Sequence, residues 1–206
     1  MSAAPTVGTG PRRFFYIRHG ETAWNREGRL QGQREAALND LGQRQASAAG
    51  DTLARLLADR GLDVAALAYV SSPLSRTRHT MDLLRGRLGP GLPQYATDDR
   101  LKEMSFGAWE GRTWHDLKRA EPAAMAERRR DCWGFVPPGG ESYAMLLERL
   151  SPWLAGLAED AVVVAHGGVA RALLHGIAGI AVHRAPSEEI HQGRVLLFEA
   201  GTAHWI

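Results

Sequence analysis

Apolar positions recur along this chain in two rhythms. Short, dense runs occupy residues 14–18, 66–71 and 161–165, with a weaker one at 94–97. Runs of that length, bounded by polar residues, Gly or Pro, predict strands. The run at 161–165 is apolar almost throughout, the pattern of a central strand buried on both faces. Between the runs the spacing turns helical. Ala46, Ala49, Leu53, Leu56 and Leu57 share one helical face behind a capping Asn39, which predicts a helix to about residue 60 with Gly61 as its stop. Leu74, Thr77, Met81 and Leu84 mark another, with Pro73 in its first turn, fading between Gly86 and Gly91. Residues 112–130 read as helix broken at Pro122. Ser142 caps a helix bearing Met145, Leu146, Leu150, Trp153 and Leu157, which Pro152 should kink. A further helix follows His166 to about Ile177, and residues 194–199 and 203–206 predict a hairpin across Ala200-Gly201. Residues 26–37 and 101–111 have no clean period and read as loops, with Trp109 buried in the second.

Strands alternating with helices predict an α/β domain whose mainly parallel sheet is covered on both faces. Ligands of such sheets bind at the carboxyl ends of the strands, where Arg18-His19 and His166-Gly167-Gly168 both fall. The 206 residues suit one domain, and 44% hydrophobic with 23% charged residues is a globular balance that excludes disorder as the main state. The division expected is a flexible tail, residues 1–13, followed by one catalytic domain, residues 14–206. A net charge of +2 is low for a protein that coats nucleic acid. The single cysteine, Cys132, excludes a disulfide scaffold and agrees with a reducing compartment. No run reaches the ~18 apolar residues of a membrane span. The N-terminus lacks the apolar core of a signal peptide, so a cytoplasmic location is expected.

Several polar residues stand where chemistry is done. His19, at a strand end beside Arg18, reads either as a nucleophile next to an anion clamp or as a half-buried histidine beside a surface arginine. Gly20 permits a close backbone approach. After His166 two glycines open a helix, whose free N–H groups can receive an anion; the plainer reading is a tight strand-to-helix turn. Arg76 lies one turn into the helix after Ser71-Ser72-Pro73 and either faces that pocket or is solvated. Glu103, between apolar neighbours, is a surface carboxylate or an acid whose pKa burial raises. The run Glu127-Arg128-Arg129-Arg130 reads as a solvated face, or as a basic rim for an anionic ligand. No His-x-x-x-His pair or Cys partner exists for a zinc site, and no ATP-type phosphate loop is present. No metal and no cofactor are expected.

Six segments occur in a telling order: residues 18–25 with 28–32, then Ser71-Ser72-Pro73-Leu74-Ser75-Arg76, Leu101-Lys102-Glu103, Gly107-Ala108-Trp109-Glu110-Gly111, Pro138-Gly139-Gly140-Glu141-Ser142 and Ala165-His166-Gly167-Gly168. Together they resemble the histidine phosphatase superfamily, in its phosphoglycerate-mutase-like branch, over residues 14–206. The resemblance implies a three-layer α/β/α sandwich with helices on both sides of the sheet. It implies that His19 is the nucleophile that becomes phosphohistidine, that Arg18, Arg76 and His166 form the phosphate pocket, and that Glu103 is the proton donor. Asn25 and Gln31 match auxiliary phosphate contacts, joined by Thr22 and the backbone of Gly167. His166 would act as a cationic or a donating group, and His19 as a neutral imidazole fixed by a bond from its other ring nitrogen to a backbone carbonyl.

Departures from the family pattern narrow the activity. Glu35 and Ala37 stand where the family often has Asp and Pro. Glycolytic mutases of the branch usually show Gly-Asn-Ser after the second histidine, where this chain has Gly167-Gly168-Val169, and they carry a longer insertion than residues 112–136. The short form resembles the branch's phosphatases. The expected activity is therefore a metal-independent phosphomonoesterase acting on a small phosphorylated metabolite: a sugar phosphate, a nucleoside monophosphate, phosphoserine or a phosphoglycerate. The alternatives are a cofactor-dependent phosphoglycerate mutase and a non-catalytic phosphate binder. Residues 112–136 resemble the family's variable lid, with Trp133 and Phe135 as candidate substrate contacts and Arg112, His115 and Arg130 as further guesses. Neither nucleic acid nor a membrane is an expected partner, and a homodimer stays open.

Overall fold

Side-chain alternation along β1 (Phe14–Arg18) divides the hydrophobic core in two. Phe15 and Ile17 face one side and Phe14 and Tyr16 the other, as a period of two requires. The computed structural model describes residues 13–206. In it β1 joins β2 (Ala68–Ser71), β3 (Ala96–Thr97), β4 (Ala161–Ala165), β5 (Leu196–Glu199) and β6 (Thr202–Trp205) in a sheet of order β3-β2-β4-β1-β5-β6. The sheet is mixed. β3, β2, β4 and β1 are parallel, and β5 and β6 add an antiparallel edge. β4 lies between two strands, and all five of its residues are buried, as its apolar run predicts.

Helices cover both faces. On one, α2 (Asp40–Asp59) and α3 (Ser75–Leu88) place Leu53, Leu57, Met81 and Leu84 against Phe15, Ile17, Val162 and Val164. On the other, α6 (Tyr143–Ala155) and α7 (Gly167–Gly176) place Leu146, Leu150, Trp153 and Leu173 against Phe14, Tyr16, Val163 and Phe198. Burying each such side chain contributes roughly 2 kcal/mol. Three shorter helices, α1 (Ala23–Arg26), α4 (Trp114–Ala120) and α5 (Pro122–Arg130), lie over the carboxyl ends of the parallel strands or in the segment above them.

Most boundaries follow the local signals. Asn39 accepts from the N–H of Gly42 and caps α2, and Ser142 does the same for α6 through Met145. The hairpin turns on Ala200 and Gly201, both with positive φ. Four expectations change. Pro73 lies outside α3, which starts at Ser75 and runs through Gly86 to Leu88. Residues 64–66 form a 3-10 turn, so β2 begins at Ala68. Pro152 sits in the last turn of a single helix, where its missing N–H costs one bond. Residues 23–26, at the edge of a stretch read as loop, form a helical turn. The expected tail lies outside the described residues as far as residue 12. Arg13 is fixed, its backbone N–H and its Nε both donating to the Asp160 carboxylate at 3.0 and 2.6 Å.

Candidate active site

The parallel register sets Arg18 beside Ala165, so the residues that follow β1 and β4 emerge together. The N–H of His19 continues the ladder to the Ala165 carbonyl at 3.0 Å. The rings of His19 and His166 then lie 5.2 Å apart, centroid to centroid, and both side chains are buried. His19 Nδ1 donates to the Gly20 carbonyl at 2.8 Å, which leaves the Nε2 lone pair free. Burial, reinforced by the Arg76 and Arg18 guanidiniums, pushes the His19 imidazole well below its ordinary value of 6.5. It is therefore a neutral imidazole at neutral pH. Gly20 has a different use from the one its position suggests. A Cβ there would stand 2.1 Å from the carbonyl oxygen of Gly42, so its bareness serves the contact with α2.

Two arginines and the second histidine surround His19. Arg76 is fully buried, with Nη1 and Nη2 donating to the carbonyls of Arg34 and Gly32 at 2.7 and 2.8 Å. Arg18 Nη1 donates to the Ile190 carbonyl at 2.8 Å. In both, the buried Nε has no partner among the described residues. His166 Nε2 meets the Ser72 hydroxyl at 2.8 Å, and its Nδ1 is likewise without a partner. Burial, then Arg76, His19 and Arg18, push His166 well below 6.5, so it is neutral and not the cation that was one of the two expectations. Two buried guanidinium nitrogens, Arg18 Nε and Arg76 Nε, thus lack protein acceptors near His19, and His166 Nδ1 donates or accepts according to its tautomer. Leaving donors unpaired in a core is costly, and guanidinium donors match an oxyanion. The backbone of Gly167 opens α7 at the same place, adding N–H groups and the positive end of the helix.

Thr22 organises a third side of the pocket without lining it. It caps α1, accepting from the N–H of Asn25, and it is completely buried. Its hydroxyl faces Gln31 Oε1 at 3.0 Å and Asn25 Oδ1 at 3.2 Å. Gln192 Nε2 also donates to Asn25 Oδ1 at 3.2 Å and to the His19 carbonyl at 3.0 Å. Both amide oxygens are occupied, so Asn25 and Gln31, which line the cavity, turn their NH₂ groups to it.

Glu103 enters from the irregular segment before residue 111. Its Oε1 accepts from the N–H of Met104 at 2.9 Å and its Oε2 from that of Gly168 at 3.1 Å. A Cβ at Gly168 would stand 2.3 Å from Oε1, so a side chain there would push this carboxylate aside. The runs around Glu110 and Glu141 are its scaffold. Glu141 accepts from the N–H of Ser105 and pairs with Arg149 through Nε and Nη2, each at 2.9 Å. Arg149 in turn donates to the carbonyls of Arg100 and Lys102. Glu110 accepts from the N–H groups of Gln33 and Phe106, tying this segment to the loop that carries Gln31. Glu35 accepts from the N–H and hydroxyl of Ser75, supplying the cap that Leu74 cannot give α3.

Arg18, His19, Asn25, Gln31, Arg76, Glu103, Gly167 and Gly168 line a cavity of about 230 Å³. Its outer wall includes Phe106, Trp114, Arg128, Tyr143 and Arg171. The segment read as a lid packs Leu117 and Met125 with Leu30 and Trp109 from outside it into a small core. Trp133 and Phe135 do not line the cavity. Trp133 stacks on Tyr143, and Phe135 on Trp109. Arg112 pairs with Glu121, while His115 and Arg130 are exposed. In the basic run, Arg128 alone turns inward, its guanidinium 4.2 Å from the Trp114 ring centre. Arg171, Arg149, Tyr143 and Gln192 were not singled out from the sequence. Each gains its role from a contact remote in the chain, and only the helical spacing of Arg171 from Gly167 hints at it.

A family model, the histidine phosphatase superfamily (branch 1), matches residues 14–206. A glucosyl-3-phosphoglycerate phosphatase of Mycolicibacterium vanbaalenii is 33% identical, over 95% of this chain and 83% of that one. A 2,3-bisphosphoglycerate-dependent phosphoglycerate mutase of Beijerinckia indica is 29% identical over 91% of each. The alpha-ribazole phosphatase of Shigella flexneri superposes with a TM-score of 0.77 at 26% identity, covering 94% of both chains. The resemblance read from six segments is thus matched across the described fold, and the chain belongs to the histidine phosphatase superfamily, branch 1, as one of its phosphatases, a phosphoric monoester hydrolase.

Proposed function

We propose that the hydrolysis runs without a metal, through a phosphohistidine on His19, on a small phosphorylated metabolite. The observation that supports this reading is the neutral His19 with two unpartnered buried guanidinium nitrogens near it, at Arg18 and Arg76. His19 Nε2 attacks phosphorus as the bond to the ester oxygen breaks. Negative charge on the phosphoryl oxygens meets the two guanidiniums, the His166 N–H, the Asn25 and Gln31 amides and the start of α7. Glu103, as general acid, passes a proton to the departing alkoxide. The carboxylate so formed takes a proton from water, whose oxygen attacks phosphorus and breaks the P–N bond. Orthophosphate leaves and both side chains regain their starting states. Binding alone would need neither the nucleophile nor the acid, which argues against a mere phosphate binder.

The test is phosphate release from a panel of small phosphomonoesters with EDTA present. Release that survives EDTA and disappears in His19→Ala is expected. Release abolished by EDTA, or retained by His19→Ala, contradicts the mechanism. Including 3-phosphoglycerate, with and without 2,3-bisphosphoglycerate, covers the activity named for the Beijerinckia relative: isomerisation without release would contradict hydrolysis.

A further inference from the structure

Charge in the cavity exceeds what one phosphoryl group needs. Arg18 and Arg76 at the floor match a phosphate dianion. Arg29 is spent on Glu27, at 2.6 Å. Arg128, over the Trp114 ring, and Arg171 remain on the wall, neither facing a carboxylate within ion-pair distance among the described residues. Arg171 is not a loose surface side chain: its Nε donates to the Glu188 carbonyl at 2.9 Å, and its Nη1 lies 3.4 Å from where a Cβ of Gly167 would stand. The guanidinium is thereby fixed beside the mouth of the phosphoryl pocket. Tyr143 lines the same cavity, close enough for the Arg171 charge to act on its phenol. Its ring is only 5% exposed and is held by the stack on Trp133. A fixed cation and a phenol are a donor pair for an anionic acceptor lying beyond the phosphoryl group.

We infer that Arg171 and Tyr143 form a second anion subsite, so that the preferred substrate carries a carboxylate or a second phosphate on its alcohol portion. This rests on the phosphomonoesterase reading and narrows it. The expected gain is in binding, because the group held is remote from the breaking bond and is held equally before and during reaction.

Matched esters test it. O-phosphoserine against O-phosphoethanolamine isolates a carboxylate, and fructose 1,6-bisphosphate against fructose 6-phosphate isolates a second phosphate. The wild type should favour the doubly anionic member of one pair by about tenfold or more in kcat/KM, the scale of one charge-assisted hydrogen bond. Arg171→Met should bring that ratio close to one, with the loss in KM, and Arg171→Lys should restore part of it. No preference in either pair, or a ratio that persists in Arg171→Met, overturns the subsite. An equal loss on both members assigns Arg171 to the phosphoryl group or the fold, and also overturns it. Should no ester release phosphate, the hydrolytic reading fails. Calorimetric binding of the same pairs to His19→Ala then decides the subsite: tighter binding of the doubly anionic member, lost on adding Arg171→Met, upholds it, and equal affinities reject it.

Discussion

His19 owes its neutral state and its tautomer to burial, to two neighbours on the chain and to one across it. The Gly20 carbonyl fixes the tautomer, and Arg18 and Arg76 make a third positive charge unwelcome. Such a pairing of residue type with strand end is readable from sequence, because it is local. Thr22 shows where local reading stops. Its place in the motif marks it as a phosphate contact, but it is buried beneath Asn25 and Gln31 and acts by turning their amides. Thr22→Val keeps the shape and removes the hydroxyl. It should cost about 1 kcal/mol of stability as a lost cap. It should also weaken competitive inhibition by orthophosphate several-fold, since freed amides lose their orientation. Denaturant unfolding and inhibition assays measure the two effects, and a stability loss with undisturbed orthophosphate binding would reduce Thr22 to a cap alone.

At the level of elements, the site is made where β1 and β4 end and α7 begins. Glu103 and α7 meet at Gly168, across 65 residues of chain. Gly168→Ala would drive a methyl group into the Glu103 carboxylate. Displacing a general acid costs on the order of 10² in rate or more, so kcat should fall by about that factor. Orthophosphate, which needs no acid, should still inhibit. Steady-state kinetics decide, and near-normal kcat would remove Glu103 from its assigned role. Strands and long helices were legible because their apolar periods are strong and their caps, at Asn39 and Ser142, are local. The start of α3 was not, because its cap comes from Glu35, 40 residues earlier. The runs around Glu110 and Glu141 could be recognised from sequence, but their physical task, tethering the Glu103 segment through Arg149 and Gln33, depends on contacts no spacing reveals.

Across the whole molecule, the mixed sheet departs from the mainly parallel expectation only at the β5–β6 edge, because the closing hairpin adds antiparallel pairing beside β1. The wall of the cavity was the least legible part. Trp114 and Arg128, not Trp133 and Phe135, face it, since α4 and α5 pack on a small core shared with Leu30 and Trp109. Two buried neutral histidines also couple the site to global stability. The folded values of His19 and His166 lie well below 6.5, so the unfolded chain binds protons that the native state refuses. Their contribution is complete above about pH 6.5 and is lost as pH falls below it, by up to about 1.4 kcal/mol per pH unit for each histidine. Melting between pH 8 and pH 5 should show that decline, and His166→Gln should make it shallower; an identical slope in the variant would contradict the account. The central claim is the covalent intermediate. Rapid acid-free quenching during turnover, followed by peptide mass analysis, should find an acid-labile phosphoryl group on His19, absent from His19→Ala. Phosphate release with no phosphorylated His19, or with the label on another side chain, would contradict it.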